Sequence, residues 1–322
     1  MVTQDRNNSA CPDDEIATIL ASHVSFRQAI EPDVPLDQIR AQAEAEMVNI
    51  LRCFPGNKTL DTTVVMSAWL CILCLVDDEV DKMAVAPGQT LLKELALYAQ
   101  NAELETQLVN PICVNGEHER VRWAFSCFCR HATLHLPATQ YKALCRDISI
   151  VFWGMIDEII FKSERSTNLD EYLSIRRCTI GVNPFFGLLR GDRGYPNMYS
   201  LVLSSIELRT LTIVVLHNDL IGLEREVASG EWMNYAIVSA TSPSEHVQNQ
   251  LTKRIKLGIT LTAERCNQST KTLMQDWKAI TEKDPGWEQD YALALLVFVA
   301  KHFHAAKASS RYKQISSSVS RY

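Results

Sequence analysis

The sequence predicts an all-α, single-domain protein. Only 12 glycines and 11 prolines occur in 322 residues, whereas a sheet protein of this length needs more turn residues. Apolar residues repeat at helical spacing almost throughout, and no alternating strand pattern competes. A hydrophobic share of 47% is enough for a sizeable buried core.

Helical periodicity marks approximate segments at 14–30, 37–53, 61–83, 89–100, 117–134, 139–162, 169–190, 199–228, 244–281 and 287–309. Prolines at 12, 32, 35, 55, 87, 111, 137, 196, 243 and 285 fall between them, where a missing N–H costs least. Pro184 is the exception. It lies inside SIRRCTIGVNPFFGLL, three residues after Gly181, and the two together predict a broken helix that exposes backbone carbonyls. The polar residues 1–12 and the tail 313–322 read as disordered, and no repeat or linker divides 13–312 into further domains.

The net charge of −6, with no Lys/Arg block, argues against a nucleic-acid partner, and an anionic substrate would have to be bridged by cations. The start MVTQDRNNSACP lacks the basic and apolar regions of a signal peptide, so a cytoplasmic location is expected, with the ten cysteines as free thiols. Cys71/Cys74 and Cys127/Cys129 sit in apolar helical patterns without a second pair at zinc-site spacing and read as core packing. The apolar run Thr62–Val76 is shorter than the roughly 20 residues a bilayer needs, so no membrane partner is expected.

The third segment ends in Asp77-Asp78-Glu79-Val80-Asp81, four carboxylates within five residues. Asp77 and Asp81, spaced i, i+4, share a helical face, with Asp78 about 100° round the axis. An isolated acidic run is more often a solvated helix end, yet hard divalent cations would offset its repulsion. A second stretch, LHNDLIGLEREVASGEWMNY, places Asn218, Gly222 and Glu226 at i, i+4, i+8 on one helical stripe, with Asp219 and Arg225 beside them.

In these residues the chain resembles the class I terpene synthases, whose metal motifs are DDxxD and (N/D)Dxx(S/T/G)xxxE. The resemblance spans about residues 50 to 312. It extends to Arg176 or Arg177 in EYLSIRRCTIG, where relatives carry a diphosphate-sensing Arg, with Arg176 the better placed. It also takes in Arg311-Tyr312 after the last long segment, whereas Arg321-Tyr322 in the tail reads as coincidence.

The family implies a bundle of about ten to twelve helices around an apolar cavity. It also implies three Mg2+ ions held by Asp77, Asp78, Asp81, Asn218, Gly222 and Glu226 together with an isoprenyl diphosphate. Gly222 stands where Ser or Thr is usual, so a water near its backbone is expected in place of the hydroxyl. Arg176, Arg177, Arg225, Arg311 and Tyr312 would bind the diphosphate. Thr179 would connect Arg176 to the helix break, where carbonyls of Ile180 and Gly181 would face the allylic carbon.

Phe298 is the leading candidate to line the cavity, with Trp69, Phe152, Trp153, Phe185 and Phe186 behind it. His302 and His304, spaced i, i+2, point apart and read as structural. The implied reaction is ionisation of farnesyl diphosphate and cyclisation to a sesquiterpene by a monomer or homodimer. Geranyl or geranylgeranyl diphosphate is the alternative substrate, and an inactive helical binding protein the alternative role. A prenyl-elongating enzyme would need a second Asp-rich run, and a protonation-initiated cyclase a DxDD motif with another helical domain. The sequence shows neither.

Overall fold

A computed structural model describes residues 13–57, 59–104, 118–195, 200–241, 251–282 and 285–308. Arg311 and Tyr312 lie outside the described residues, as do 1–12 and the tail. The described residues form twelve helices and no strand: α1 (Asp13–Ile30), α2 (Leu36–Cys53), α3 (Leu60–Val80), α4 (Val85–Leu104), α5 (Glu119–His135), α6 (Ala138–Glu164), α7 (Leu169–Thr179), α8 (Asn183–Asp192), α9 (Leu201–Ser229), α10 (Tyr235–Ala240), α11 (Leu251–Thr281) and α12 (Trp287–Ala308).

Local chemistry explains several boundaries. Thr59, Asn168, Ser200 and Asn234 cap α3, α7, α9 and α10 by accepting backbone N–H groups that would otherwise have no partner. Gly230, at φ 73°, ends α9 in the left-handed conformation that glycine adopts without strain. The predicted break divides the segment 169–190 into α7 and α8, and Pro184 sits in the first turn of α8, where it needs no N–H. Pro87 departs from expectation. It lies in the first turn of α4 rather than between helices, for the same reason.

α3 is the buried strut of the bundle. It packs on α1, α2, α5 and α8, while α6 packs on α4, α7 and α8, and α9 on α7, α11 and α12. With 21 residues, α3 is long and apolar enough to cross a bilayer, as is α9, which corrects the shorter length read from the sequence. In α3 the most apolar window is 61% buried in the bundle and in α9 50%, the pattern of core helices whose apolar surface is covered by protein. Cys71, Cys127 and Cys129 are buried and Cys74 partly so, all unbridged, as core packing requires.

The aromatic candidates form two contiguous clusters. Trp69, fully buried, meets Phe128 and Phe152 at centroid distances of 5.9 and 6.2 Å. Phe298, 2% exposed, stacks on Phe54 at 4.8 Å and meets Phe186 edge-on at 5.5 Å, and Phe185 also stacks on Phe54 at 5.7 Å. Trp153 is only partly buried.

Trp69 also closes the helix break. Its indole N–H donates to the Gly181 carbonyl at 3.0 Å, joining α3 to the α7–α8 junction. Gly181 has φ 69°, and a β-carbon there would stand 2.3 Å from Leu73 Cδ2. Replacing it adds backbone strain of roughly 1–2 kcal/mol to an overpacking cost of about 1–3 kcal/mol. Gly181→Ala is therefore expected to lower unfolding stability by at least ~2 kcal/mol, measured by urea denaturation followed by circular dichroism; an unchanged midpoint would refute this account of the junction.

Candidate active site

The acidic run closes the C-terminal end of α3, with Asp81 as its cap. No basic residue occupies that last turn, which is the negative end of the helix dipole, but Lys82 just beyond it pairs with Glu79 at 2.9 Å. Further compensation comes from other helices. Lys162 on α6 lies 3.7 Å from Asp81 Oδ1, 3.2 Å from Glu158 Oε1 and 3.2 Å from Glu231 Oε2. Arg120 donates to Glu31 and approaches Glu79 at 4.0 Å.

From Glu158 the network crosses to α7 and α9. Arg176 Nη1 donates to Glu158 Oε2 at 3.2 Å and to Thr179 Oγ1 at 3.1 Å, and its Nη2 lies 3.7 Å from Asp219 Oδ1. Asp219 is fully buried. Its Oδ2 accepts from Tyr172 OH at 2.6 Å and from the Tyr235 backbone N–H at 3.1 Å. A continuous chain of opposite charges, Asp81–Lys162–Glu158–Arg176–Asp219, thus joins the two sequence motifs across four helices.

Burial and charge set the protonation states. Burial alone would raise the Glu158 carboxyl, but Arg176 and Lys162 overcome it and hold its pKa down to about 2. Burial opposes the charge on Arg176, yet Glu158, Tyr172 and Asp219 raise its pKa, so the guanidinium stays charged. Asp219 goes the other way. Its burial outweighs the pull of Arg176 and Tyr172 and lifts it to about 6.

Asn218, Gly222 and Glu226 fall on α9 as the spacing predicts. Glu226 is 8% exposed; Oε2 accepts from Asn234 Nδ2 at 2.7 Å and Oε1 from Arg225 Nη2 at 3.3 Å. A β-carbon on Gly222 would lie 2.5 Å from Glu226 Oε1. The carboxylate therefore fills the space where the sequence reading put a water, because glycine leaves room for it to fold back.

Two further expectations change. Arg177 donates from Nε to Thr212 Oγ1 at 3.0 Å, with Arg209 and Arg265 nearby, and shares no partner with Arg176. Adjacent residues on a helix point about 100° apart, so only one of the pair reaches this network. The Gly181 carbonyl is directed at Trp69, which leaves Ile180's as the candidate at the break. His302 stacks on His217 at 6.1 Å inside the bundle, in keeping with a structural role.

Sequence reasoning missed Glu158, Lys162, Glu231, Tyr172 and Asn234. Only Glu158 and Lys162, an acid and a base spaced i, i+4 on one helix, carried a local signal.

The donor set suits a hard cation. Asp77, Asp78, Asp81, Asn218 and Glu226 offer oxygen atoms only, as magnesium prefers. Among the described residues no three His, Cys, Asp or Glu side chains come close enough to hold a metal by themselves. Arg176 Nε, buried and without a hydrogen-bond partner, is a donor available to such an anion.

The model of terpene synthase family 2, C-terminal metal binding, matches residues 68–246, more than half of the chain and both acidic motifs. The chain belongs to this terpene synthase family. Solved structures agree with the fold of this terpene synthase. A linalool/nerolidol synthase from Streptomyces clavuligerus, in complex with 2-fluorogeranyl diphosphate, is 18% identical with a TM-score of 0.69, covering 96% of this chain and 100% of its own. An α-eudesmol synthase is 15% identical with a TM-score of 0.66 over 96% of this chain and 100% of its own. A hedycaryol synthase is 14% identical with a TM-score of 0.62 over 91% and 94%. No curated protein sequence matches the terpene synthase.

A carboxylate whose pKa is lowered on folding stabilises the fold above its unfolded value and loses that contribution as pH falls through its folded value. Glu158→Gln is expected to lower Tm at pH 7, and the gap from the parent should narrow as pH drops from about 4.5 toward 2. Calorimetry across that range checks it; a gap independent of pH would disprove the charge pairing.

Proposed function

We propose that this terpene synthase is a class I cyclase that ionises farnesyl diphosphate with Mg2+ and cyclises the resulting cation to a sesquiterpene. The observation that carries the reading is Arg176. A buried, permanently charged guanidinium stands between Glu158 of α6 and Asp219 of the second motif, with its Nε donor uncommitted. Such a group suits an oxyanion that arrives and then gains charge.

In the proposed reaction the allylic C–O bond breaks heterolytically, and its electron pair leaves on the diphosphate; after cyclisation the cation loses a proton to give a hydrocarbon, or takes up water and loses a proton to give an alcohol. Bound magnesium would neutralise that developing charge. Asp77, Asp78 and Asp81 on one side and Asn218 and Glu226 on the other would hold the ions. Arg176 and Arg225 would donate to the phosphate oxygens, in company with Arg311 and Tyr312 of the C-terminal segment. Thr179 would keep Arg176 registered with the break, and the Ile180 carbonyl would stabilise positive charge at the allylic carbon. Phe298 and its aromatic neighbours would present π-faces to the cation, while their apolar surface keeps water from quenching it. The linalool/nerolidol synthase bound to a fluorinated geranyl diphosphate supports an isoprenyl diphosphate as the substrate class.

Purified protein given farnesyl diphosphate and Mg2+ is expected to release inorganic diphosphate and form volatile C15 products detectable by mass spectrometry, and a chelator should stop both. Asp77→Ala is expected to lower kcat at least ~100-fold. No diphosphate release from geranyl, farnesyl or geranylgeranyl diphosphate would favour the inactive binding protein, and near-normal turnover by Asp77→Ala would remove the acidic run from the mechanism.

A further inference from the structure

We propose that Asn234 is a positioning residue for the second motif: its side-chain amide holds the Glu226 carboxylate folded over Gly222, in the place of the hydroxyl that this motif usually carries. The proposal rests on the reading of the site as one for magnesium and diphosphate.

Asn234 lies in the turn between α9 and α10 and is fully buried. Its hydrogen-bonding capacity is committed in three directions. Nδ2 has two hydrogens; one goes to the Asp219 backbone carbonyl and one to Glu226 Oε2, both at 2.7 Å. Oδ1 accepts from the Ala236 N–H at 2.8 Å and so caps α10. One side chain thus ties the turn to the Asp219 end of the motif, to its Glu226 end and to the next helix.

The chemistry of the contact suits a ligand carboxylate. Arg225 Nη2 already lies 3.3 Å from Oε1, and the Asn234 amide N–H orients the other oxygen, Oε2, without setting a second positive charge against the carboxylate. With Oε2 held by Asn234, the other oxygen, Oε1, is the one that lies over Gly222, 2.5 Å from where a β-carbon would stand. Gly222 and Asn234 therefore act as a pair. The glycine leaves the space, and the amide keeps the carboxylate in it.

Capping and positioning use different atoms of Asn234, so they can be separated. Asn234→Ser and Asn234→Asp both retain an oxygen that can cap α10, and both remove the two amide N–H donors; Ser keeps a single hydroxyl hydrogen on a shorter side chain, and Asp sets a negative oxygen against Oε2. Isothermal titration calorimetry of the full chain with Mg2+ and inorganic diphosphate reads binding without turnover, and Tm is measured on each variant.

Asn234→Ser is expected to weaken Mg2+-dependent diphosphate binding about 10-fold or more, and Asn234→Asp further, with both variants folded. Glu226→Gln should also weaken binding, and adding Asn234→Ser to it should cost little more, because the amide acts through that carboxylate. Parent-like binding by Asn234→Ser, full additivity with Glu226→Gln, or loss of fold in both Asn234 variants overturns the proposal. A parent chain that fails to bind magnesium diphosphate defeats the reading of the site itself, and the proposal with it.

Discussion

The arrangement of this protein turns on a surplus of carboxylates carried in the C-terminal halves of two core helices, α3 and α9. Asp77, Asp78 and Asp81 crowd the C-terminal end of α3, where the backbone dipole already disfavours negative charge; Glu226 lies in the last turn of α9 and Asp219 well before its end. Lys162 and Arg176, through Glu158, hold Asp81 and Asp219 in one charge-alternating chain. That chain accounts for a glutamate at pKa about 2 and a buried aspartate at about 6 within the same network. Glu158 has two cations against it, whereas Asp219 meets its cation only at 3.7 Å and is wholly removed from water.

Rigid apolar packing keeps the network in register. α3 delivers the acidic run and, two turns earlier, Trp69, whose indole N–H fixes the Gly181 carbonyl at the α7–α8 junction. The same junction sets where Arg176 ends and where Thr179 can meet it. A well-packed interior transmits displacement rather than absorbing it, so the contact of Gly181 with Leu73 and the position of the guanidinium are mechanically linked.

Much of this was legible in the sequence because it is local. Helical periodicity gave the helices, although the short α10 escaped it: six residues between a turn and a longer segment carry too little period to read. Pro87 was set outside α4 because first-turn prolines and inter-helix prolines look alike without a boundary. The acidic run, the Asn218/Gly222/Glu226 stripe and the broken helix at Gly181–Pro184 were visible because each is a spacing within one helix. Arg176 was separable from Arg177 only by family resemblance until their side chains were seen to take different partners.

By itself the sequence determined the all-α class, the order of the helices, the two motifs and the break, since these depend on residue type and on distance along the chain. Tertiary structure decided which groups meet across helices: Lys162 with both Asp81 and Glu231, Arg176 with both Glu158 and Asp219, Asn234 with Glu226, and Trp69 with Gly181. It also decided that the space beside Gly222 is filled by a carboxylate. Such pairings join residues from separate helices or across a turn, and only packing brings them within the few ångströms over which hydrogen bonds and ion pairs act.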